Sequence, residues 1–344
     1  MRLALSIGHM RGAEDRLRLD AVRRAEALGF AAAWVGEAYG SDAATVLAYL
    51  AGRTTTIELG SAVMQLPGRT PAMTAMTAAT LDILSAGRAL LGLGVSGPQV
   101  SEGWHGVDFA APLARTREYV EIVRAVLRRD PLRYSGAHYT LPKGGGKAIK
   151  LSMHPVRERL PIYLASIGPR NLRLTGEIAD GWLGMLLSAE HAGEQLGQLA
   201  VGRAAGGLDM RGFDVVATVP VVFGDDVSAC ADQVRAYAAR YLGGMGSRQE
   251  NFYNALAVRM GYVDAARVIQ ELYLTGQPDA AAAAVPEKFI DQISLLGPVS
   301  RVADRLQAYA GAGVTTLAML DVSSADPTVA AGQLADAYAR SGLG

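Results

Sequence analysis

Cys230 is the only cysteine in 344 residues, which excludes an intrachain disulfide and any cluster held by several thiolates, and fits a reducing cytoplasm. An excess of one charge is missing too. The 33 Lys and Arg balance the 33 Asp and Glu, so there is no global positive field to gather nucleic acid or an anionic membrane, and neither is expected as a partner. No apolar run approaches the roughly 18 residues of a membrane span. Met1-Arg2 leads straight into a short strand rather than a signal peptide, so a soluble, unexported protein is expected. The five histidines show no ligand spacing such as H-x-x-x-H, and no metal is expected. A G-x-S-x-G elbow and a Walker loop are also absent. Gly92-x-Gly94-x-x-Gly97 has the spacing of a dinucleotide fingerprint, but Pro98 follows with no helix expected directly behind it, so it is read as a false positive. Aromatics make up only 6% of the chain against 50% hydrophobic residues, and the Ala- and Gly-rich remainder suits the close helix–strand contacts of one large α/β domain.

What the chain does hold is alternation. Leu3 to Ile7, Phe30 to Val35, Ile57 to Val63, Ala89 to Leu93, Ile162 to Ala165, Trp182 to Leu186, Asp214 to Val222 and Thr315 to Leu320 read as eight short strands. Between them lie stretches of helical spacing, such as Glu14 to Leu28, Asp42 to Ala51, Thr70 to Gly87 and Leu113 to Arg129. Eight strands separated by helices predict one (β/α)8 TIM barrel over residues 1–344, with a doubly wound open sheet as the runner-up. A barrel core takes about 250 residues, so the excess falls in two insertions, about 130–160 and 243–297. The first is expected as an excursion beside the site. Met73 and Met76 on the third helix are read as core, and Cys230, flanked by alanines, as buried filler.

Leu160 to Gly184 is the stretch with the most chemistry. Its apolar strand breaks at Ser166-Ile167-Gly168 into a helix that starts with Pro169. Main-chain N–H groups freed at that first turn, the Ser166 hydroxyl and the charges of Arg170 and Arg173 are expected to converge as a phosphate cradle, although the same residues also read as an ordinary helix start. In a barrel, catalytic groups belong at the carboxyl ends of the strands. Few acids or bases fall there. Glu37 is the best carboxylate and reads equally as an ion-pair partner of Arg69 or Arg53, while His105 either faces the cavity or is simply solvated. A cradle, glycine-lined strand ends and so thin an acid–base set point to a bound cofactor that carries the reaction.

Ala33-Trp34-Val35-Gly36-Glu37, Leu59-Gly60-Ser61-Ala62-Val63, Arg69-Thr70-Pro71-Ala72, Asp82-x-x-Ser85-x-Gly87-Arg88 running into Gly92-Leu93-Gly94-Val95-Ser96-Gly97, and Ala179-Asp180-Gly181-Trp182 together resemble the bacterial luciferase-like superfamily over nearly the whole chain. Within it the sequence is most similar to the coenzyme F420-dependent oxidoreductases that resemble methylenetetrahydromethanopterin reductase. The resemblance implies coenzyme F420, with FMN as the alternative. It implies a ring lying across the strand ends, backed by a bulge in strand three with a non-prolyl cis peptide at Ala62-Val63. It also implies phosphate binding by Ala165, Ser166, Ile167 and Gly168, with Ser96 and Gly97 nearby and Arg170 as a cation. The implied reaction is hydride transfer between the deazaflavin and a small organic substrate, with Glu37 or His105 as proton donor or ring-positioning group. The competing readings are an FMN monooxygenase with a partner reductase and a non-catalytic deazaflavin carrier. A homodimer through the early helices is a further implication. Lys143, Lys147 and Lys150, with Arg170, would hold an anionic oligoglutamate tail or else form a solvated loop. One departure counts against a sugar phosphate as substrate, because relatives that oxidise one carry Asp-His after strand two, where this chain has Glu37-Ala38.

Overall fold

The computed structural model describes residues 1–10, 12–323 and 326–344. Eight parallel strands close on one another: β1 (Arg2–Gly8), β2 (Ala32–Val35), β3 (Glu58–Ser61), β4 (Ala89–Gly94), β5 (Ile162–Ala165), β6 (Gly181–Met185), β7 (Asp214–Phe223) and β8 (Thr316–Asp321). Each pairs with the next, and β8 pairs with β1. This is the expected (β/α)8 barrel, and closure rules out the open doubly wound sheet. The ring of helices comprises α1 (Arg16–Ala27), α2 (Ala43–Ala51), α3 (Pro71–Leu84), α4 (Pro112–Leu127), α5 (Pro169–Ile178), α6 (Ala192–Ala205), α7 (Val227–Ala239), α8 (Val299–Gly311) and α9 (Pro327–Arg340). Among the described residues no helix is long and apolar enough to cross a membrane.

Small residues determine how the barrel fills. Ala4, Ala32 and Ala318 leave interior space that Trp34 and Tyr163 occupy edge to face, 5.0 Å between centroids. Gly60 and Gly181 are glycine where a Cβ would lie 2.3 Å from those two rings. Ala62, Val63 and Ala165 pack against this cluster two to three residues further along their strands, so they form a low floor at the carboxyl end. β3 stops at Ser61, and pairing resumes at Met64–Gln65, with Gln65 opposite Gly94. The Ser61 hydroxyl fills the break, donating to the Gly92 carbonyl at 2.7 Å and accepting from the Gly92 N–H at 3.0 Å. Between the two pieces the Ala62–Val63 peptide is cis, as the resemblance implied.

Several local readings are corrected. A one-turn helix, Pro98–Ser101, does follow Gly97 directly, because Pro98 suits a first helical turn. Met73 and Met76 are 51% and 45% exposed rather than core. The buried stripe of α3 is Thr74, Ala75, Ala78, Ala79, Leu81 and Asp82, small enough for close approach to α4, where the Thr74 and Tyr119 hydroxyls bond. Cys230 is buried as expected.

The first insertion carries an antiparallel ribbon, Tyr134–Ser135 with Thr140–Leu141, and then returns to the amino end of the barrel. Leu132 N–H donates to the Ile149 carbonyl, Arg129 Nε to that of Leu151, and Arg157 pairs at 2.6 Å with the fully buried Asp82 beside the start of β4. Lys150 therefore lies at the opposite end from Arg170. Only this returning limb leaves the site, so Lys150 forms no patch with Arg170, whereas the turn of the ribbon stays near the carboxyl end, where the Ala137, His138 and Tyr139 N–H groups donate to Glu118 on α4. Removing the Arg157 guanidinium would leave the Asp82 carboxylate buried without its counter-charge, so Arg157→Ala should cost about 3 kcal/mol in urea unfolding. Pairing it with Asp82→Leu should recover part of that loss, whereas a single variant as stable as the wild type would contradict the ion pair.

The second insertion is helical, with Phe252–Arg259, Val263–Leu274, Pro278–Ala283 and Glu287–Gln292 built around an apolar cluster of its own. Within the stretch read as insertion, Leu295–Gly297 then returns as a strand parallel to the upper part of β7, Val221 opposite Leu295. β6 pairs with β7 only from Asp214 to Thr218, and β8 occupies the other side at Val221, so the returning strand continues the side that β6 vacates.

Candidate active site

β5 ends at Ala165 and α5 begins at Pro169, which makes Ser166, Ile167 and Gly168 the connecting turn. Gly168 is the N-cap at φ −75° and ψ 147° and has no side chain to cap the helix. The Ile167 and Gly168 N–H groups have no partner among the described residues, and the first turn of α5 adds N–H groups that no helix satisfies internally. A Cβ on Gly168 would meet nothing within 4 Å, so the space in front of the turn is open. Arg170 is exposed and joins no ion pair among the described residues. This donor set, main-chain N–H groups at a positive helix end with a free guanidinium alongside, suits a phosphate.

Two side chains expected at the cradle are engaged elsewhere. Thr175 Oγ1 donates to the Asn171 carbonyl at 2.9 Å, so it must accept from the Ser166 hydroxyl, also at 2.9 Å. Ser166 thus turns its proton into α5, while its carbonyl accepts from Trp182 Nε1 at 2.9 Å, and only its main chain is left for the cradle. Arg173 Nε donates to Gln198 on α6 instead. Arg259 was missed by sequence reasoning. It ends the first helix of the second insertion, donates to the Ile167 carbonyl at 3.4 Å and pairs with Glu194 at 3.1 Å. No local signal could have found it, since 92 residues separate it from the turn it touches.

The acid–base residues gather on the other side of β4. Glu37, at the exit of β2, makes a two-pronged pair with Arg69 (2.5 and 2.8 Å) and accepts from the N–H groups of Ala43 and Gln65. The ion-pair reading of Glu37 is therefore realised, with its side chain only 9% exposed. Arg69 also reaches Asp42. Gln65, the residue that resumes pairing after the bulge, lies 2.8 Å from His105 Nε2 through its side-chain oxygen, and its amide nitrogen points at the Glu37 carbonyl at 3.5 Å. An amide oxygen only accepts, so this bond assigns the proton to Nε2. The structure thus strings Glu37, Gln65 and His105 together. Gln65 stands where strand pairing resumes, and its place after the bulge is the one signal for it in the sequence.

β3, β4 and β5 are neighbours, so bulge and cradle flank the end of β4. Gly94 is required there, because a Cβ would lie 2.5 Å from Val63 Cγ2 and push the bulge away. Ser96 follows in the left-handed region at φ 61°, and Gly97 caps the one-turn helix. A planar apolar group could rest on Ala62, Val63, Gly94 and Ala165 with an anion held at the cradle and His105 on the opposite flank.

A family model described as luciferase-like monooxygenase matches residues 9–316. Over 326 residues, 92% of this chain and 94% of the relative, the sequence is 40% identical to a Mycobacterium tuberculosis protein assigned to the coenzyme F420-dependent oxidoreductases. It is 28% identical to the 5,10-methylenetetrahydromethanopterin reductase of Archaeoglobus fulgidus over 86% of each chain. The fold is shared with the coenzyme F420-dependent tetrahydromethanopterin reductase of Methanopyrus kandleri, at a TM-score of 0.83 and 23% identity over 97% of each chain. With the closed barrel, the β3 bulge and these matches in agreement, the chain belongs to the luciferase-like monooxygenase family, in the branch that includes the coenzyme F420-dependent oxidoreductases.

Proposed function

We propose that this protein is an oxidoreductase that uses coenzyme F420 to move a hydride to or from a small organic substrate at the barrel mouth. The observation that carries the reading is the β5–α5 turn, whose free Ile167 and Gly168 N–H groups, backed by Arg170 and Arg259, fit the phosphate of such a coenzyme. The names of the 40% and 28% identical relatives support the choice of coenzyme and of reaction class. When bound, the deazaflavin supplies or accepts the hydride at a ring carbon. The chain's own residues do the rest. Ala62 and Val63 would support the ring from the barrel side. His105 moves the accompanying proton, and the Glu37–Arg69 pair fixes Gln65, which in turn orients the imidazole.

Equilibrium binding of F420 against FMN tests this directly. F420 should bind at least about tenfold more tightly, a difference of 1.4 kcal/mol, and equal or reversed affinities would favour the monooxygenase reading. His105→Ala should lower turnover by about 100-fold while leaving coenzyme affinity unchanged, as removal of a positioned proton-transfer group does. Glu37→Gln should lower it by at least about tenfold through the misplaced imidazole. Full turnover in both variants would mean that other residues carry the proton. We also propose a homodimer through α2 and α3, on which Tyr49, Met73 and Met76 are exposed. Sedimentation at the mass of one chain would remove that reading.

A further inference from the structure

Outside the cradle and the β3 bulge, a cavity of about 320 Å³ lies between the segment that follows the bulge, residues 66–71, and the segment that leads into α4, residues 107–112. Its volume falls at the lower end of the range for small-molecule sites. Pro67, Val107, Phe109 and their neighbours make most of the wall apolar.

Apart from Asp108, whose exposed carboxylate also belongs to the lining, the polar side chains of the wall fall into two sets. Three are already committed: Arg69 to Glu37 and Asp42, Ser101 to the Val107 carbonyl at 2.7 Å, and the Thr70 hydroxyl to the Met73 N–H at 3.3 Å. Two are not. Arg115 donates one Nη1 bond to the Asp108 carbonyl at 2.9 Å, but its Nε is buried without any partner, and no carboxylate pairs with it among the described residues. The Tyr139 hydroxyl, within reach of the Arg115 charge, makes no hydrogen bond among the described residues. A half-buried guanidinium without an acidic partner is a costly arrangement unless something anionic completes it through the Nη groups.

We propose that this cavity binds a small amphipathic carboxylate, separately from the coenzyme. Its two oxygens would accept from Arg115 Nη2 and from the Nη1 proton that Asp108 leaves free, with the Tyr139 hydroxyl donating a further bond. An apolar body of roughly six to ten carbons would lie along the Pro67, Val107 and Phe109 wall. The site adjoins the redox machinery at Arg69 and at Gly68. Gly68 lines the cavity and also backs the His105 ring, where a Cβ would lie 3.2 Å from Cε1, so an occupant presses on the loop that positions the imidazole. The proposal stands whichever cofactor the barrel mouth takes.

Calorimetric titration of the purified full chain with octanoate tests it, with octan-1-ol as the uncharged control. Saturable binding of octanoate is expected, at least tenfold weaker for the alcohol and at least tenfold weaker in Arg115→Gln. Tyr139→Phe should weaken octanoate by a few-fold. Ala110→Trp, placed on an exposed position of the cavity rim, should abolish binding while the far-ultraviolet circular dichroism spectrum stays unchanged. Absence of saturable binding by every linear acid from butanoate to decanoate, or equal affinity in wild type and folded Arg115→Gln, overturns the proposal.

Discussion

A Gly168→Asp protein is expected to fold and melt like the wild type and to bind coenzyme F420 about 100-fold more weakly or worse, because a fixed carboxylate then faces the phosphate. The fold should tolerate the change, since Gly168 sits at φ −75° and ψ 147°, a conformation open to any residue, and a Cβ there meets no atom within 4 Å. An aspartate is also a good helix cap, so α5 loses nothing by gaining one. What changes is the sign of the charge in the open space that Ile167 and Gly168 N–H groups, Arg170 and Arg259 surround. Gly168→Asn provides the control, with nearly the same shape and no charge, and should lose less than about tenfold. Fluorescence titration of the coenzyme reads both. Wild-type affinity in the Asp variant would mean that the anion sits elsewhere, and the proposed function would lose its main support.

The largest effect on stability should come from one added carbon at Gly92. A Cβ there would lie 1.9 Å from the Ser61 carbonyl oxygen and 2.7 Å from Leu183 Cδ1. Leu183 can shift, but the Ser61 carbonyl belongs to the backbone at the start of the bulge and is held by the two bonds between the Ser61 hydroxyl and Gly92. Gly92→Ala should therefore cost about 3 kcal/mol or more, at the upper end for overpacking, because no rotamer change relieves it. Gly97→Ala, where a Cβ meets nothing within 4 Å, should be nearly neutral in the same denaturant series. If the two variants unfold alike, β3 and β4 do not approach each other as described. Loss of coenzyme binding in Gly92→Ala would follow from the displaced bulge.

The barrel was legible because its signal is repeated. Each short apolar run followed by helical spacing adds to the same inference, and errors of two or three residues at element ends do not alter it. The cradle was legible as a strand–turn–helix with Pro169 and Gly168 at the right places, but the direction of the Ser166 hydroxyl was not, since it depends on Thr175, nine residues further on, turning back toward it from α5. Met73 and Met76 misled for a related reason. On α3 the alanine and threonine stripe competes with the methionine stripe, and hydrophobicity alone picks the larger side chains, whereas close packing against α4 needs the smaller ones. Leu295–Gly297 is too short to show a period of two. Arg259 and the Glu37–Gln65–His105 string are tertiary facts, made by residues that meet only once the chain has closed.

Residues Leu295–Gly297 have a consequence for anyone who wishes to shorten the chain. Although the helices from Phe252 to Gln292 form a cluster of their own, the piece that follows them is woven into the β7 ladder. Trimming the whole segment away would uncover the flank of Val221–Phe223 as a bare strand edge, a template on which a second molecule could grow by strand addition. A minimal version of this enzyme should therefore keep those three residues, joined to α7 by a short polar linker, or it will be recovered as aggregates.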